Sequence, residues 1–288
     1  MSFQITTAFV EQFGANIDLL SQQKNSRFGD KVRLESQTGE TSYFEQVGPT
    51  DVEEAASRHD DTPRMDTPHA RRKVTLRTFR WADLIDNADK VRMLIDPTST
   101  YARSAMMSMN RKRDAVIIEA ALGTAYTGKS GTTTVTLPST QKIAHASAGL
   151  TIAKLLSAKE ILDANEVDEE IKRYIACTSK QISDLLNTTE IKNADYNTVK
   201  ALAMGQINSF LGFEFLRSEQ LTQDSTPNRQ VIAWAEDGIL LSTGEGGTTT
   251  RITERADKNY SVQVFREENF GATRMEEEKV VEIACVES

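Results

Sequence analysis

The sequence contains few of the residues on which most catalytic and metal sites depend. Its 288 residues include only two cysteines, Cys177 and Cys285, and three histidines, His59, His69 and His145. Both cysteines stand in apolar, strand-like surroundings, which favours small buried side chains over a disulfide or a nucleophile. No histidine has a serine or cysteine beside it, and the acidic group around His59 and His69 lacks the ligand spacing of a familiar metal site. We therefore predict no catalytic residue, no metal site and no cofactor.

Long apolar runs and an excess of positive charge are also missing. No apolar run approaches 18 residues, and the N-terminus has no basic start followed by an apolar core, so we expect neither a membrane span nor secretion. Asp and Glu outnumber Lys and Arg by 42 to 34, which gives a net charge of −8. This balance argues against a protein whose main task is to grip nucleic acid, because such binding depends on Lys and Arg neutralising phosphates. The 39% hydrophobic content is that of a soluble globular protein.

One motif is typical of nucleotide chemistry. Residues 123–130 spell Gly-Thr-Ala-Tyr-Thr-Gly-Lys-Ser, which matches the phosphate-binding pattern G-x-x-x-x-G-K-S. Such a loop needs a buried strand before its first glycine and a helix that begins at the Lys-Ser pair. Here a helical pattern precedes Gly123, and the β-branched residues 132–136 with Pro138 follow. We therefore interpret 123–130 as a helix end followed by a turn, and keep a P-loop NTPase as the less favoured alternative.

The first third of the chain has few local partners for its elements. Phe9, Phe13, Ile17 and Leu20 are spaced as in a short amphipathic helix. Alternating apolar residues predict a hairpin in which a strand at 32–36 pairs with 41–47 across the turn 37–40. Residues 51–73 follow, with eleven charged residues among 23 and only Val52 and Met65 as sizeable apolar groups. This segment cannot form a core of its own, so we expect it to contact a complementary surface or to be solvated.

Further along, the pattern predicts one long helix and then an α/β unit. Apolar residues from Thr98 to about Leu122, after Asp96-Pro97, predict a helix of 25 residues. A capping box at Thr178-x-x-Gln181 predicts the start of another helix that continues to Asn187. The remaining expected elements are helices at 152–164 and 196–204, strands at 171–177, 211–215, 230–235, 260–264 and 281–285, and a flexible loop at 244–250.

Four strings in order carry a resemblance to a known family: residues 57–63, 66–72, 81–86 and 93–98. They spell Ser-Arg-His-Asp-Asp-Thr-Pro, Asp-Thr-Pro-His-Ala-Arg-Arg, Trp-Ala-Asp-Leu-Ile-Asp and Met-Leu-Ile-Asp-Pro-Thr. With these, the chain resembles the major capsid proteins of tailed bacteriophages, in particular the short-chain, podovirus-like group. The resemblance implies an α+β chain with the Hong Kong 97-type capsid fold. It further implies an N-terminal arm at 1–30, an extended E-loop at 31–78, a P-domain at 79–150 and 250–288 with a spine helix at 98–122, and an A-domain at 151–249.

The same resemblance implies a function and partners. Copies would assemble into hexamers and pentamers of an icosahedral head that encloses double-stranded DNA, in a virion assembled in the bacterial cytoplasm. Expected partners are other copies, the portal, a separate scaffolding or decoration protein, and packaged DNA bound without sequence specificity. The alternative that shares the fold is an encapsulin-like compartment shell. The residues expected to make inter-subunit contacts are Phe3, Phe9, Phe13, Arg58, Asp60, Asp61, Arg64, Asp66, Arg71 and Arg72.

Overall fold

The computed structural model describes residues 20–54, 57, 64–86, 98–187, 209–224 and 228–287. The predicted helices before Leu20 and at 196–204 lie outside these residues. The helices are α1 Thr98–Leu122, α2 Ile152–Ala164 and α3 Ser179–Asn187. The strands are β1 Arg33–Gln37, β2 Thr41–Val47, β3 His69–Thr75, β4 Arg77–Ile85, β5 Ala125–Thr127, β6 Thr133–Val135, β7 Lys142–Ile143, β8 Arg173–Cys177, β9 Ser209–Phe210, β10 Phe213–Arg217, β11 Asn228–Ala235, β12 Ile239–Arg255, β13 Ser261–Arg274 and β14 Val280–Val286.

Helix α1 lies in the middle of the fold, with the bounds that the sequence predicts. It packs against the sheet β1-β12-β13-β4 and against one face of the sheet β7-β14-β11-β8-β10-β9. Val116 and Ile117 of α1 share a core with Phe270 of β13 and with Trp234 of β11. The helix therefore joins two sheets, because apolar residues face both of its sides.

The other face of the six-stranded sheet carries α2 and α3. Leu155 and Leu162 of α2, together with Leu185 of α3, pack against Ile175 and Val231 of the sheet. Strand β14 lies between β7 and β11. The C-terminal residues thus close a sheet with earlier segments, as their alternating pattern predicts.

Helix α3 begins after Thr178 as predicted, with one of the two bonds of a capping box, since the Thr178 hydroxyl donates to Glu287 instead. The Thr178 amide donates to the Gln181 side-chain oxygen at 2.6 Å. This bond satisfies one of the amide groups left free at a helix start.

The predicted pairing of 32–36 with 41–47 is wrong. Strand β1 instead pairs in parallel with β12, Arg33 opposite Leu240, and β2 pairs antiparallel with β3, Thr41 opposite Thr75. The buried Gln37 side chain explains the separation, since it donates to the Gly39 carbonyl and accepts from Ser242 of β12. The turn is local, but tertiary contacts direct its two arms into different sheets.

The predicted flexible loop at 244–250 is also wrong. Strand β12 runs through it, and its register with β13 shifts between Thr243 and Thr248. A Cβ on Gly247 would lie 2.8 Å from the Gly244 carbonyl oxygen. The glycines therefore allow a bulge within a long strand.

Residues 123–130 end a helix and begin a hairpin. Helix α1 stops at Leu122, and a Cβ on Gly123 would lie 2.5 Å from the Glu119 carbonyl oxygen. Strands β5 and β6 then pair across a turn in which Gly128 and Gly131 adopt φ of +88° and +62°. The P-loop alternative is wrong, because a phosphate-binding loop lies between a strand and a helix, whereas here a helix precedes the motif, β5 lies within it and β6 follows it.

Candidate assembly interface

The hairpin β2–β3 carries an extension that projects from the rest of the described chain. Its two strands pair from Thr41 opposite Thr75 to Val47 opposite His69, and the Gly48 amide donates to the Pro68 carbonyl at 2.9 Å. Beyond this bond, the described residues 49–54 and 64–68 are exposed except for the half-buried Thr67. The apolar side chains in this stretch share that exposure, with Val52 at 94% and Met65 at 41%. The extension therefore presents both charge and apolar surface to solvent.

The base of this hairpin is fixed by a buried cluster of two arginines and one glutamate. Arg72 of β3 donates to the Met275 carbonyl at 2.7 Å and to the Glu277 carboxylate at 2.5 Å. Arg274, which has no exposed surface, donates to the same carboxylate at 3.3 Å. It also donates to the carbonyls of Ala121, Gly123 and Val135.

This cluster links four elements at one point. Burial lowers the pKa of the Arg274 guanidinium, and the Glu277 carboxylate opposes that shift by favouring the charged form. The carboxylate neutralises charge that would otherwise be buried alone. The hairpin base, the end of α1, strand β6 and the end of β13 are thereby joined.

The hairpin β5–β6 supports the projecting hairpin from the side. Strand β3 pairs with β5, and the Tyr43 hydroxyl donates to the Ser130 carbonyl at 3.2 Å. Arg71 pairs with Glu45 at 2.6 Å and lies over the Tyr43 ring, 5.6 Å from its centroid. The segment that matched a nucleotide motif therefore stabilises the projecting hairpin, with Lys129 exposed.

The N-terminal segment lies along α1 and is held there by polar side chains of the helix. Asp114 is fully buried, and its carboxylate accepts from the Ser26 hydroxyl at 2.5 Å and from the amides of Arg27 and Phe28 at 3.0 to 3.2 Å. The Gln23 side chain donates to the same group. One turn earlier, Asn110 donates to the Lys24 carbonyl and Arg111 to the Gln22 side chain. These contacts hold residues 22–28 against α1.

A second buried carboxylate joins α1 to the sheet beneath it. Glu268 of β13 is 3% exposed and pairs with Arg113 of α1 at 2.9 Å and with Arg266 at 2.5 Å. Because two guanidinium groups satisfy one carboxylate, the charge of Glu268 is compensated where it is buried. The basic run 111–113 is therefore partly a structural contact.

The six-stranded unit has its own buried polar contacts. Lys154 of α2 donates to the carbonyls of His145, Ala148, Gly149 and Ala284 at 2.8 to 2.9 Å. Burial lowers the pKa of this lysine. The C-terminal segment is tied by Glu287, whose carboxylate accepts from Thr178 at 2.9 Å and from Arg229 at 2.8 Å.

The two cysteines are buried, as predicted. Burial raises the pKa of Cys177 to about 12 and that of Cys285 to about 11. Both thiols are therefore protonated at neutral pH and contribute to the core. Within the described residues, no group of His, Cys, Asp and Glu is arranged to hold a metal ion, and no helix is long and apolar enough to cross a membrane.

The structure separates the residues expected to contact other subunits. Arg64 and Asp66 lie exposed on the extension, and Arg71 is half-buried beside Tyr43. Arg72 is buried against its own chain. Phe3, Phe9, Phe13, Arg58, Asp60 and Asp61 lie outside the described residues. Sequence reasoning missed Asp114, Glu268 and Glu277, although a carboxylate next to the apolar run 115–118 of α1 is a signal that could have indicated Asp114.

The sequence matches a family model over nearly its whole length. The family is described as phage capsid protein, and the match covers residues 5–287. No curated protein sequence is significantly similar to the chain.

Solved capsid structures have the same fold. The capsid protein of the cyanophage P-SCSP1u aligns with a TM-score of 0.75 at 16% identity, over 98% of this chain and 94% of that one. The capsid of Ralstonia phage GP4 gives 0.75 at 10% identity, with coverage of 97% and 96%. That of cyanophage Pam1 gives 0.70 at 14% identity and covers 99% of both chains. The α+β fold is therefore the Hong Kong 97-type capsid fold, and the chain belongs to the phage capsid protein family.

Proposed function

We propose that copies of this capsid protein assemble through the projecting hairpin β2–β3 into the hexamers and pentamers of an icosahedral phage head. The extension 48–68 of one copy lies on a neighbouring copy, and the closed shell encloses double-stranded DNA. Family membership supports a structural role in the virion. Membership of a phage capsid family also favours a phage head, which encloses DNA, over an encapsulin-like compartment, which encloses an enzyme.

The observation that carries this proposal is the contrast between the two ends of the hairpin. Its base is buried and ionically fixed through Arg72 and Glu277, whereas the described part of its extension is almost wholly exposed. A fixed base favours binding to another copy, because a segment that is already ordered loses less conformational entropy on binding. A loop that is only solvated gains nothing from such a base.

We propose the family's four-part division, adjusted by the strand pairing. The N-terminal arm is 1–30, the E-loop is 31–78, the P-domain is 79–150 with 250–288, and the A-domain is 151–249. The sheets support two changes to these bounds. Strand β1, within 31–78, lies in the sheet of β13 and β4, so we assign it to the P-domain. Strand β14, within 250–288, lies in the sheet of β8 and β10, so we assign it to the A-domain.

The contacts between copies are proposed for Arg64, Asp66 and Arg71 on the hairpin and for the expected residues outside the described ranges. Arg72 serves the hairpin base from within its own chain. Assembly takes place in the host cytoplasm, with the portal and with a separate scaffolding or decoration protein. The net charge of −8 suits an inner surface that does not bind packed DNA tightly.

The extension can be removed without touching the hairpin base, because Gly48 and Pro68 are already joined by a hydrogen bond. We expect a variant in which a two-residue glycine turn replaces 49–67 to fold with an unchanged melting temperature and to stay in small species on size exclusion. Wild-type protein should form closed particles in the same buffer by electron microscopy. Closed particles from the shortened variant would contradict the role of the extension.

A further inference from the structure

Among the described residues, the outer edge of β12 at 248–255 has no paired strand. Strand β1 pairs only with residues 240–244 of β12, and β13 occupies the other edge, so among the described residues no strand covers the outer edge of 248–255. Residues 248–255 spell Thr-Thr-Thr-Arg-Ile-Thr-Glu-Arg, with five β-branched residues and no proline. Most of these side chains are exposed, including Ile252 at 52%.

This edge is rigidly presented. Strand β13 pairs with 248–255 on one side and with β4 on the other, so the edge belongs to a three-stranded ribbon. Arg266 donates to the Thr250 hydroxyl at 3.1 Å, and Arg255 donates to Gln263 at 3.0 Å. An exposed strand edge of this length, whose outward amide and carbonyl groups have no strand partner in the described ranges, is a template for another strand.

We infer that this edge pairs antiparallel with the same edge of a second copy, around a two-fold axis at Ile252. The inference rests on the proposed assembly, since it identifies one surface by which copies join. A two-fold contact uses the same residues on both copies, so a single strand supplies both halves.

The geometry of a strand restricts the register of such a pair. Successive residues point their amide and carbonyl groups to opposite edges, so two copies of one strand can pair only when the opposed residue numbers are both even or both odd. The axis must therefore pass through a residue and not between two.

Charge then selects among these registers. An axis at Arg251 places two arginines opposite each other, and an axis at Thr253 places Arg251 opposite Arg255. An axis at Glu254 opposes two glutamates. Like charges directly opposite each other destabilise a sheet.

An axis at Ile252 avoids every such conflict. It pairs residues 249–255 with each other, with Ile252 opposite Ile252, Thr250 opposite Glu254 and Arg251 opposite Thr253. The exposed Ile252 side chains are then buried against each other. An axis at Thr250 also avoids like charges but pairs only residues 248–252.

Cysteine cross-linking tests this register directly, because Cys177 and Cys285 are buried and leave the surface without a thiol. In assembled particles, Ile252→Cys should give covalent dimers on mild oxidation, since opposed residues lie within disulfide range. Thr250→Cys and Glu254→Cys should each give none alone, because like positions are then about 13 Å apart along the strand. A mixture of these two variants should give dimers.

The outcomes test the strand pairing and the proposed assembly separately. If the wild type forms particles, and covalent dimers appear both in Ile252→Cys and in the mixture of Thr250→Cys with Glu254→Cys, the pairing is supported. Particles without these dimers, or with equal dimers in all variants, overturn the pairing and leave the proposed function standing. Absence of wild-type particles contradicts both.

A charge variant gives a second readout that loss of folding would not mimic. Ile252→Lys places two lysines opposite each other and should lower the yield of closed particles, with recovery at higher salt as the repulsion is screened. The matched control is Thr248→Lys, which lies outside the paired residues and should assemble normally. Normal assembly of Ile252→Lys at low salt would overturn the pairing.

Discussion

At the scale of single residues, this protein depends on a few buried charges that each join separate parts of the chain. Glu277 lies between Arg72 and Arg274, Glu268 between Arg113 and Arg266, and Asp114 against a backbone segment. Burying a pair of charges costs desolvation free energy. Removing one partner destabilises the fold further, because the other charge stays buried and uncompensated. These side chains should therefore be sensitive positions.

Glu277→Gln should destabilise the fold by about 3–5 kcal/mol, because Arg72 and Arg274 would lose their shared countercharge. The matched control is Glu119→Gln, which breaks an exposed pair with Arg77 and should cost about 0–1 kcal/mol. Urea unfolding of the unassembled subunit measures both. Equal effects of the two substitutions would contradict a buried ionic base for the hairpin.

Asp114→Ala should release the N-terminal segment from α1, since the amides of Arg27 and Phe28 and the Ser26 hydroxyl would lose their acceptor. We expect limited trypsin to cut after Lys24 and Arg27 much faster than in the wild type. Asn110→Ala is the control, because it removes a single bond to the Lys24 carbonyl. An unchanged cleavage rate in Asp114→Ala would show that the carboxylate does not hold residues 23–28 on α1.

At the scale of elements, local patterns predict single helices well and strand partners poorly. The helix predicted at Thr98–Leu122 and the helix start predicted at Thr178 are both present, because contacts within a few residues determine them. The partner of β1 depends on residues 240–244, about 200 positions away. No local signal contains that information.

The glycines at 244–247 illustrate the same limit. Glycine clusters are typical of loops, but here they accommodate a bulge inside a strand of 17 residues. A local pattern also misleads at the candidate site, because the run Glu276-Glu277-Glu278 is typical of a solvated turn. Only the approach of Arg72 and Arg274 makes Glu277 a structural residue.

The C-terminal segment after β14 should loosen in acid. Burial raises the pKa of Glu287, but hydrogen bonds from Arg229 and Thr178 outweigh it, so the net pKa is lower than its ordinary 4.5. The carboxylate therefore stabilises the fold above pH 4.5, and this stabilisation is lost as the pH falls through the lowered value.

Urea unfolding of the wild type and of Glu287→Gln from pH 7 to pH 3 tests this dependence. We expect the wild type to be more stable at pH 7 and the difference to vanish at the acidic end. Glu160→Gln, at an exposed position of α2, is the control and should show no such difference. A difference that is constant across this range would contradict the ionised contact.

At the scale of the whole molecule, exposed segments alternate with buried, hydrogen-bonded ones within the described residues. Most described residues of the extension and of the edge 248–255 are exposed. The buried Glu277 joins the base of the extension to the rest of the chain, and the buried Glu268 lies on β13 next to the edge. Many modest contacts of this kind add up in a closed symmetric assembly. The fold therefore supports a shell protein by presenting rigid surfaces that are incomplete in one copy.

Electron cryomicroscopy of particles assembled from the purified protein tests this account most directly. We predict a closed shell of hexamers and pentamers in which residues 48–68 of each copy lie on a neighbouring copy. A reconstruction in which 48–68 folds back on its own subunit, or a protein that stays in small species under all assembly conditions, would contradict it.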